Sequence, residues 1–197
     1  MNNTVVNLPV FPLSVYLLPE GITRLRIFEQ RYLKMVRIAT KAQGFVILSA
    51  IDNENDSLDD TSAANVVWGS WVEIINFDQS KDGVLEIDVK CKSIVKIIST
   101  TADADHLMFA DVTELPHWAQ YKSQSPIHEL STSLESLFSN NPLLDELYSE
   151  KPINNAHWVV ARWLELLPIS SEIKNTFITT QSFEAAKGFV ESIFSSK

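Results

Sequence analysis

Apolar and polar side chains alternate along much of the first half of the chain, as they do in strands with one buried face. Residues 22–27 and 84–98 show this alternation most clearly, and residues 66–77 read as a further strand. The link between the last two ends in Asp82-Gly83, a pair that favours a tight hairpin. Other strands are predicted at residues 5–11, 45–51 and 107–115, with Pro9 indicating an edge strand or a bend in the first.

One helix interrupts these strands. From Glu29 onward the apolar residues recur at intervals of three and four, which predicts an amphipathic helix that reaches about residue 42 and stops at Gly44. Residues 52–63 form an acidic stretch. A calcium loop needs Gly at position 6 and Glu at position 12. Ser57 and Ala63 stand there, so a solvated loop is the better interpretation.

The pattern becomes helical after Pro116. Ser125-Pro126 and Asn141-Pro142 are typical helix starts, predicting helices to about residues 140 and 149. Three more are predicted: one around residues 158–167 that ends at Pro168, one near 170–178, and one from Ser182. A β-rich part at 1–116 followed by a helical part at 117–197 is an α+β arrangement.

Charge and composition exclude several classes of function. The net charge is −9 and the pI about 4.9, whereas nucleic-acid binders carry a basic face and anionic membranes attract basic segments. Cys91 is the lone cysteine, which excludes an intrachain disulfide. The chain shows neither a signal-peptide pattern nor an apolar run of membrane-spanning length. We therefore expect a soluble cytoplasmic protein.

Recognisable catalytic motifs are missing. None of the five glycines has the spacing of a phosphate-binding loop or a dinucleotide fingerprint. There is no Gly-x-Ser-x-Gly nucleophile elbow, and no two of the four histidines have the i, i+4 spacing of a zinc helix. The sequence therefore predicts no enzymatic activity, no cofactor and no metal.

Two local groupings have a structural and a functional interpretation. Trp68 and Trp71 are three apart in a predicted strand and must point to opposite faces. We expect one in the core and the other exposed or covered by the helical part. Glu29 lies near a helix start between Arg26 and Arg31, and a structural ion pair with either arginine is favoured over catalysis.

Residues 8–13 (LPVFPL), 18–21 (LPEG) and 25–36 (LRIFEQRYLKMV) resemble the N-terminal domain of the Lon protease family. The similarity continues through residues 44–47 and 82–85 and into the helical stretch at 161–170, so it covers nearly the whole chain. Gln30 stands where the family usually has Pro, and Cys91 where it has Gly.

This resemblance implies a PUA-like β-barrel with an inserted helix, followed by a C-terminal helical bundle. It also implies a free-standing domain without ATPase or peptidase modules that binds unfolded or partner polypeptides, with a protease or chaperone system as the suggested context. Tyr16, Trp68 and Trp118 are the candidate polypeptide contacts, because they are aromatic and lie near predicted loops or strand ends.

Two alternatives stay open at this point. A small-ligand or RNA-binding module is one, because PUA-like folds host RNA binding in other families. The excess of acidic over basic residues in both parts of the chain disfavours RNA binding. An enzyme without a recognisable motif is the other.

Overall fold

The computed structural model describes residues 4–13, 15–48, 67–118, 127–178 and 182–195. The predicted acidic loop at 52–63 and the Ser125-Pro126 helix start lie outside these residues. Six strands form the sheet: β1 (Val6–Pro12), β2 (Ile22–Ile27), β3 (Phe45–Leu48), β4 (Trp68–Gln79), β5 (Leu85–Ala102) and β6 (Met108–Glu114). The strand predictions are thus confirmed with shifts of a few residues at their ends.

The strands pair in the order β2-β5-β4-β3-β1-β6, and β6 pairs back with β5. β1 and β3 are parallel, and all the other pairs are antiparallel. β4 and β5 form the predicted hairpin, in which Gly83 has a positive φ of 83°. The long β5 pairs with β2 through its first half and with β6 through its second.

Pro9 does not mark an edge strand. β1 lies between β3 and β6 in the sheet, so the edge-strand alternative is wrong. Pairing with β6 covers Val6 to Pro9, and pairing with β3 begins only at Val10. Pro9 therefore stands where the strand changes partners, and a residue without an N–H is tolerated there because only one neighbour is paired with it.

Helix α1 (Gln30–Ala39) connects β2 to β3 and ends before the predicted residue 42. Its buried side chains are those of the predicted apolar stripe: Tyr32, Met35, Val36 and Ala39. Gly44 then turns the chain with a φ of 91°, and a Cβ at this position would collide with the carbonyl oxygen of Val72. Only glycine fits so close to another backbone.

The remaining helices all follow the strands. They are α2 (His128–Ser139), α3 (Pro142–Asp145), α4 (Ala156–Leu166), α5 (Ser171–Asn175) and α6 (Phe183–Ser195). α3 and α5 are shorter than predicted. Asn155 caps α4 by accepting hydrogen bonds from the N–H groups of His157 and Trp158, and Pro168 follows the end of α4 as expected.

Two buried clusters hold these elements together. The larger contains core residues of the strands, such as Leu25 and Ile87, and of the helices, such as Leu134 and Trp158. The smaller lies among β1, β3, β4, β5 and β6 and includes Trp71. The sheet and the later helices therefore share the larger core, whereas the smaller core is formed by strands.

Candidate functional site

Tyr16 and Trp68 form an aromatic pair between the sheet and the helices. Their rings meet edge to face, with centroids 5.5 Å apart. The Tyr16 hydroxyl donates to the carbonyl oxygen of Lys174 at 2.9 Å, and Trp68 Nε1 donates to Asn175 Oδ1 at 3.1 Å. Both polar atoms are thus satisfied by α5, while the half-buried rings keep part of their surface in solvent.

Two polar groups stabilise this aromatic pair from the protein side. Burial raises the pKa of the Tyr16 hydroxyl, with a further contribution from the Glu165 carboxylate, so the hydroxyl stays protonated and acts as a donor. The Lys174 ammonium lies 5.2 Å from the centre of the Tyr16 ring, is only 9% exposed and donates to the Glu165 carbonyl at 3.2 Å. The surface that the pair leaves to solvent is therefore aromatic.

The two tryptophans of β4 behave as their spacing predicts. Trp71 is 4% exposed and lies in the smaller core, where its Nε1 donates to the carbonyl of Gln43 at 2.6 Å. Trp68 points to the other side and is covered in part by α5. The expectation that one ring is core and the other is covered by the helical part is confirmed.

Trp118 packs with a different set of side chains. It is 3% exposed, and its Nε1 donates to Ser182 Oγ at 3.0 Å. Its ring stacks on His117 at 4.3 Å and meets Phe183 edge to face at 5.2 Å. Nearness to a loop suggested a contact residue, but the ring is enclosed where the segment after β6 meets α6.

Two histidines border this enclosed ring. His117 Nδ1 lies 2.7 Å from the Ile178 carbonyl oxygen, which can only accept, so Nδ1 carries the proton. Burial lowers the pKa of His117 to about 4 and also lowers that of His157. The Nε2 atoms of both rings are buried without a partner in the described part of the chain. Both imidazoles are therefore neutral at pH 7 and serve as packing.

A buried ion pair, not anticipated from the sequence, fastens the helices to the sheet. Arg162 Nε and Nη2 donate to the two oxygens of Glu165 at 2.6 and 2.7 Å, and Nη2 also reaches the carbonyl of Pro19 at 3.1 Å. Glu165 Oε1 accepts from the Leu18 N–H at 2.6 Å. Burial alone would lower the pKa of Arg162, but the Glu165 carboxylate, with smaller contributions from Tyr148 and Cys91, raises that pKa overall.

The only sign of the Arg162–Glu165 ion pair in the sequence was two opposite charges three residues apart in an otherwise apolar helix. Such spacing is common on exposed helix faces, so the pattern alone did not identify a buried pair. By contrast, the ion pair expected near Glu29 is confirmed, because Arg31 Nε donates to Glu29 Oε2 at 2.8 Å.

Other features of the described residues add no reactive centre. A shallow depression of about 760 Å³ lies on the helical part, lined by Glu135 and residues 151–155, away from the aromatic pair. The described ranges hold no cluster of three or more histidine, cysteine, aspartate or glutamate side chains that suits a metal ion. None of the helices seen in these ranges has the length and apolarity of a membrane span.

Comparisons with known proteins give a consistent result. Residues 7–185 match the family model of the ATP-dependent protease La (LON) substrate-binding domain. The crystal structure of a Lon N-terminal domain protein from Xanthomonas campestris is 28% identical in sequence, with a TM-score of 0.59, and the match covers 87% of this chain and 88% of that one. No curated protein sequence matches the chain significantly.

A second structure shares the fold alone. The N-terminal domain of Lon protease from the Mycobacterium avium complex is 12% identical, with a TM-score of 0.58. The match covers 94% of this chain and 96% of that one. The similarity in fold therefore extends over nearly all of both chains, even where the sequences have diverged.

Proposed function

The chain belongs to the family of Lon substrate-binding domains, and from this premise we propose that it is a polypeptide-binding module without catalysis of its own. The family match over residues 7–185 is the observation that carries the proposal. Within the 197 residues this match leaves no room for an ATPase or peptidase module.

The proposed role is that of a free-standing domain that binds unfolded or partner polypeptides for a protease or chaperone system. We place it in the cytoplasm.

The proposal also covers the fold that supports the proposed binding surface. We propose a PUA-like barrel for the strands and a bundle for the helices that follow, divided near residue 116. The cyclic pairing of β5, β4, β3, β1 and β6 supports the barrel. The shared core implies that the two parts form one rigid support.

In this proposal Tyr16 and Trp68 provide the apolar contact for a bound chain. Their rings are half-buried and held from behind by α5, so little side-chain entropy is lost on binding. Trp118 is enclosed among other side chains and is not part of this proposed contact. Affinity for an unfolded segment should be modest, because the segment loses conformational entropy when it is ordered.

A calorimetric titration tests the function. The ligand is reduced and carboxymethylated α-lactalbumin, which stays unfolded, and its native form is the control. We expect saturable binding of the unfolded form alone, in the roughly micromolar to millimolar range. No saturable heat in that range would overturn the proposal. Retention on an RNA column that weakens with salt would favour the RNA-binding alternative instead.

A pair of variants tests the proposed contact. Trp68→Ala removes the half-buried ring, and we expect it to weaken binding about ten-fold, as central aromatic contacts do. Leu143→Ala removes a side chain that is 79% exposed on α3 and should leave the affinity unchanged. Equal affinity of the two variants would exclude Trp68 from the binding surface.

A further inference from the structure

The second half of β4 has a paired strand on one side only. Pairing with β3 ends at Val72, whereas pairing with β5 continues to Gln79. Across the described ranges no strand pairs with the other side of residues 73–79, which we call the distal edge. An unpaired strand edge presents N–H and C=O groups that a further strand can use.

The opposite edge of the same ribbon is occupied at its first residue, Ile22. β2, the first half of β5 and the distal edge run side by side. At the outer side of β2 the Tyr148 hydroxyl accepts from the Ile22 N–H at 2.9 Å and lies 3.4 Å from the Ile22 carbonyl. This hydroxyl occupies the backbone groups that another strand would use.

The distal edge has neither lysine nor proline, two residues that often protect natural edges. Its protection is limited to a bulge and two carboxylates, and a segment of opposite charge can neutralise the carboxylates. Ile75 and Phe77 are 46% and 51% exposed. The register shifts between Ile74 and Asn76, so Ile75 is a bulge and the run suited to pairing is the one from Asn76 onward.

The two faces of the distal edge differ in polarity. Phe77 lies in register with Ile87 of β5, which lies in register with Leu25 of β2, and the latter two are buried. Asp78 lies in register with Glu86. A strand added beside β4 would therefore meet an apolar row on one face and carboxylates on the other.

The charges on the neighbouring strands indicate which side chains an added strand would carry. On β5, Asp88 pairs with Arg24 of β2 at 2.7 Å and Glu86 pairs with Arg26 at 3.4 Å. β2 is a strand in which apolar and basic residues alternate. The exposed Glu73 and Asp78 add two carboxylates to this face on β4. Glu73 lies in register with Lys90, whereas Asp78 lies in register with Glu86 and acts on Arg24 only through its charge.

We propose that the distal edge binds an extended polypeptide segment with alternating apolar and basic residues, which joins the sheet as a further strand. This rests on the proposed function, because it names the place and the class of segment that a polypeptide-binding domain would take. Main-chain hydrogen bonds supply affinity in this mode, and alternate side chains supply selectivity.

Hydrogen exchange of the full chain tests this edge. The probe is a nine-residue peptide of alternating lysine and valine, and a peptide with glutamate in place of lysine is the control. We expect saturating lysine peptide to slow amide exchange at Phe77 about ten-fold or more, because its N–H faces away from β5, whereas the Gln79 N–H already donates to Asp78 Oδ1 at 2.7 Å. The glutamate peptide should have no effect, because like charges repel across paired strands.

Charge variants tie the effect to the edge. Asp78→Lys should weaken binding of the lysine peptide about ten-fold. Glu150→Lys changes charge equally at an exposed site in the helical part and should alter the affinity less than about two-fold. Equal weakening by both variants would overturn the proposal.

The same samples separate the two proposals. If unfolded α-lactalbumin binds but the lysine peptide leaves the exchange at residues 76–79 unchanged, the edge proposal is overturned and the proposed function stands. If neither ligand binds, both are overturned. If protection of the edge rises with protein concentration without peptide, a second copy occupies it, which also overturns the edge proposal.

Discussion

Glu165 holds the guanidinium of Arg162 with both carboxylate oxygens at a site almost closed to water. The two side chains are 1% and 9% exposed, for Arg162 and Glu165 respectively. Both residues also bond to the backbone of the loop before β2. The pair therefore sets the position of α4 relative to the sheet and, through it, the position of α5 behind Tyr16 and Trp68.

Breaking this pair should cost stability. We expect Glu165→Gln to lower the free energy of unfolding by about 3 kcal/mol, because the variant leaves a buried guanidinium without a compensating charge. Urea denaturation measures the change. The matched control is Glu29→Gln, whose pair with Arg31 has exposures of 41% and 39% and should contribute less than about 1 kcal/mol. Equal losses would contradict a buried-charge effect.

Substitution of two glycines by alanine should change the stability of the protein in opposite directions. At Gly44 a Cβ meets the Val72 carbonyl, and φ is 91°, so we expect Gly44→Ala to cost about 2 kcal/mol or more. Gly188 lies within α6 with open space around it. Gly188→Ala should stabilise the protein by about 0.5–1 kcal/mol through helix propensity. Thermal unfolding measures both changes: Gly44→Ala should lower the melting temperature and Gly188→Ala should raise it.

Stability should fall as the solution is acidified toward pH 4, in part through His117. Its pKa drops from 6.5 to about 4 on folding because the ring is buried. Between these values the unfolded chain binds a proton that the folded chain does not, so stability is lost as pH falls through this range. The loss between pH 7 and pH 5 should be about 2 kcal/mol.

Denaturation at pH 7 and pH 5 measures this loss. His117→Gln should remove most of it, whereas His128→Gln, at an exposed position on α2, should not change it. An NMR titration follows the imidazole directly. A His117 ring that becomes protonated near its usual pKa would contradict the burial seen here.

Removing the Tyr148 hydroxyl should open the edge of β2. Burial raises the pKa of Tyr148 to about 12, so the group is a neutral hydroxyl at pH 7. Tyr148→Phe deprives the Ile22 N–H of its acceptor and should cost about 1–2 kcal/mol. Amide exchange at Ile22 should accelerate, while Val89, within the β2–β5 ladder, should keep its protection. Unchanged exchange at Ile22 would contradict this role.

Much of the fold could be anticipated from local patterns. The alternation at β2 and β5, the three-and-four spacing in α1, the Asp82-Gly83 turn and the proline that follows α4 each depend on neighbours a few residues apart. The motif at residues 25–36 was specific enough to suggest the family. These signals were readable because secondary structure and turn chemistry are specified over short stretches of chain.

Contacts between distant residues were decided by the tertiary structure. The burial of Arg162 with Glu165 had no signal in the sequence, because the loop at Leu18 reaches the pair only in the folded chain. Trp118 was a predicted contact residue, but α6 encloses it. The unpaired half of β4 follows from where β3 begins, because Phe45 is its first residue and pairs with Val72. Periodicity tells which face of an element is apolar but not which partner covers it, because that depends on the long-range packing of the whole chain.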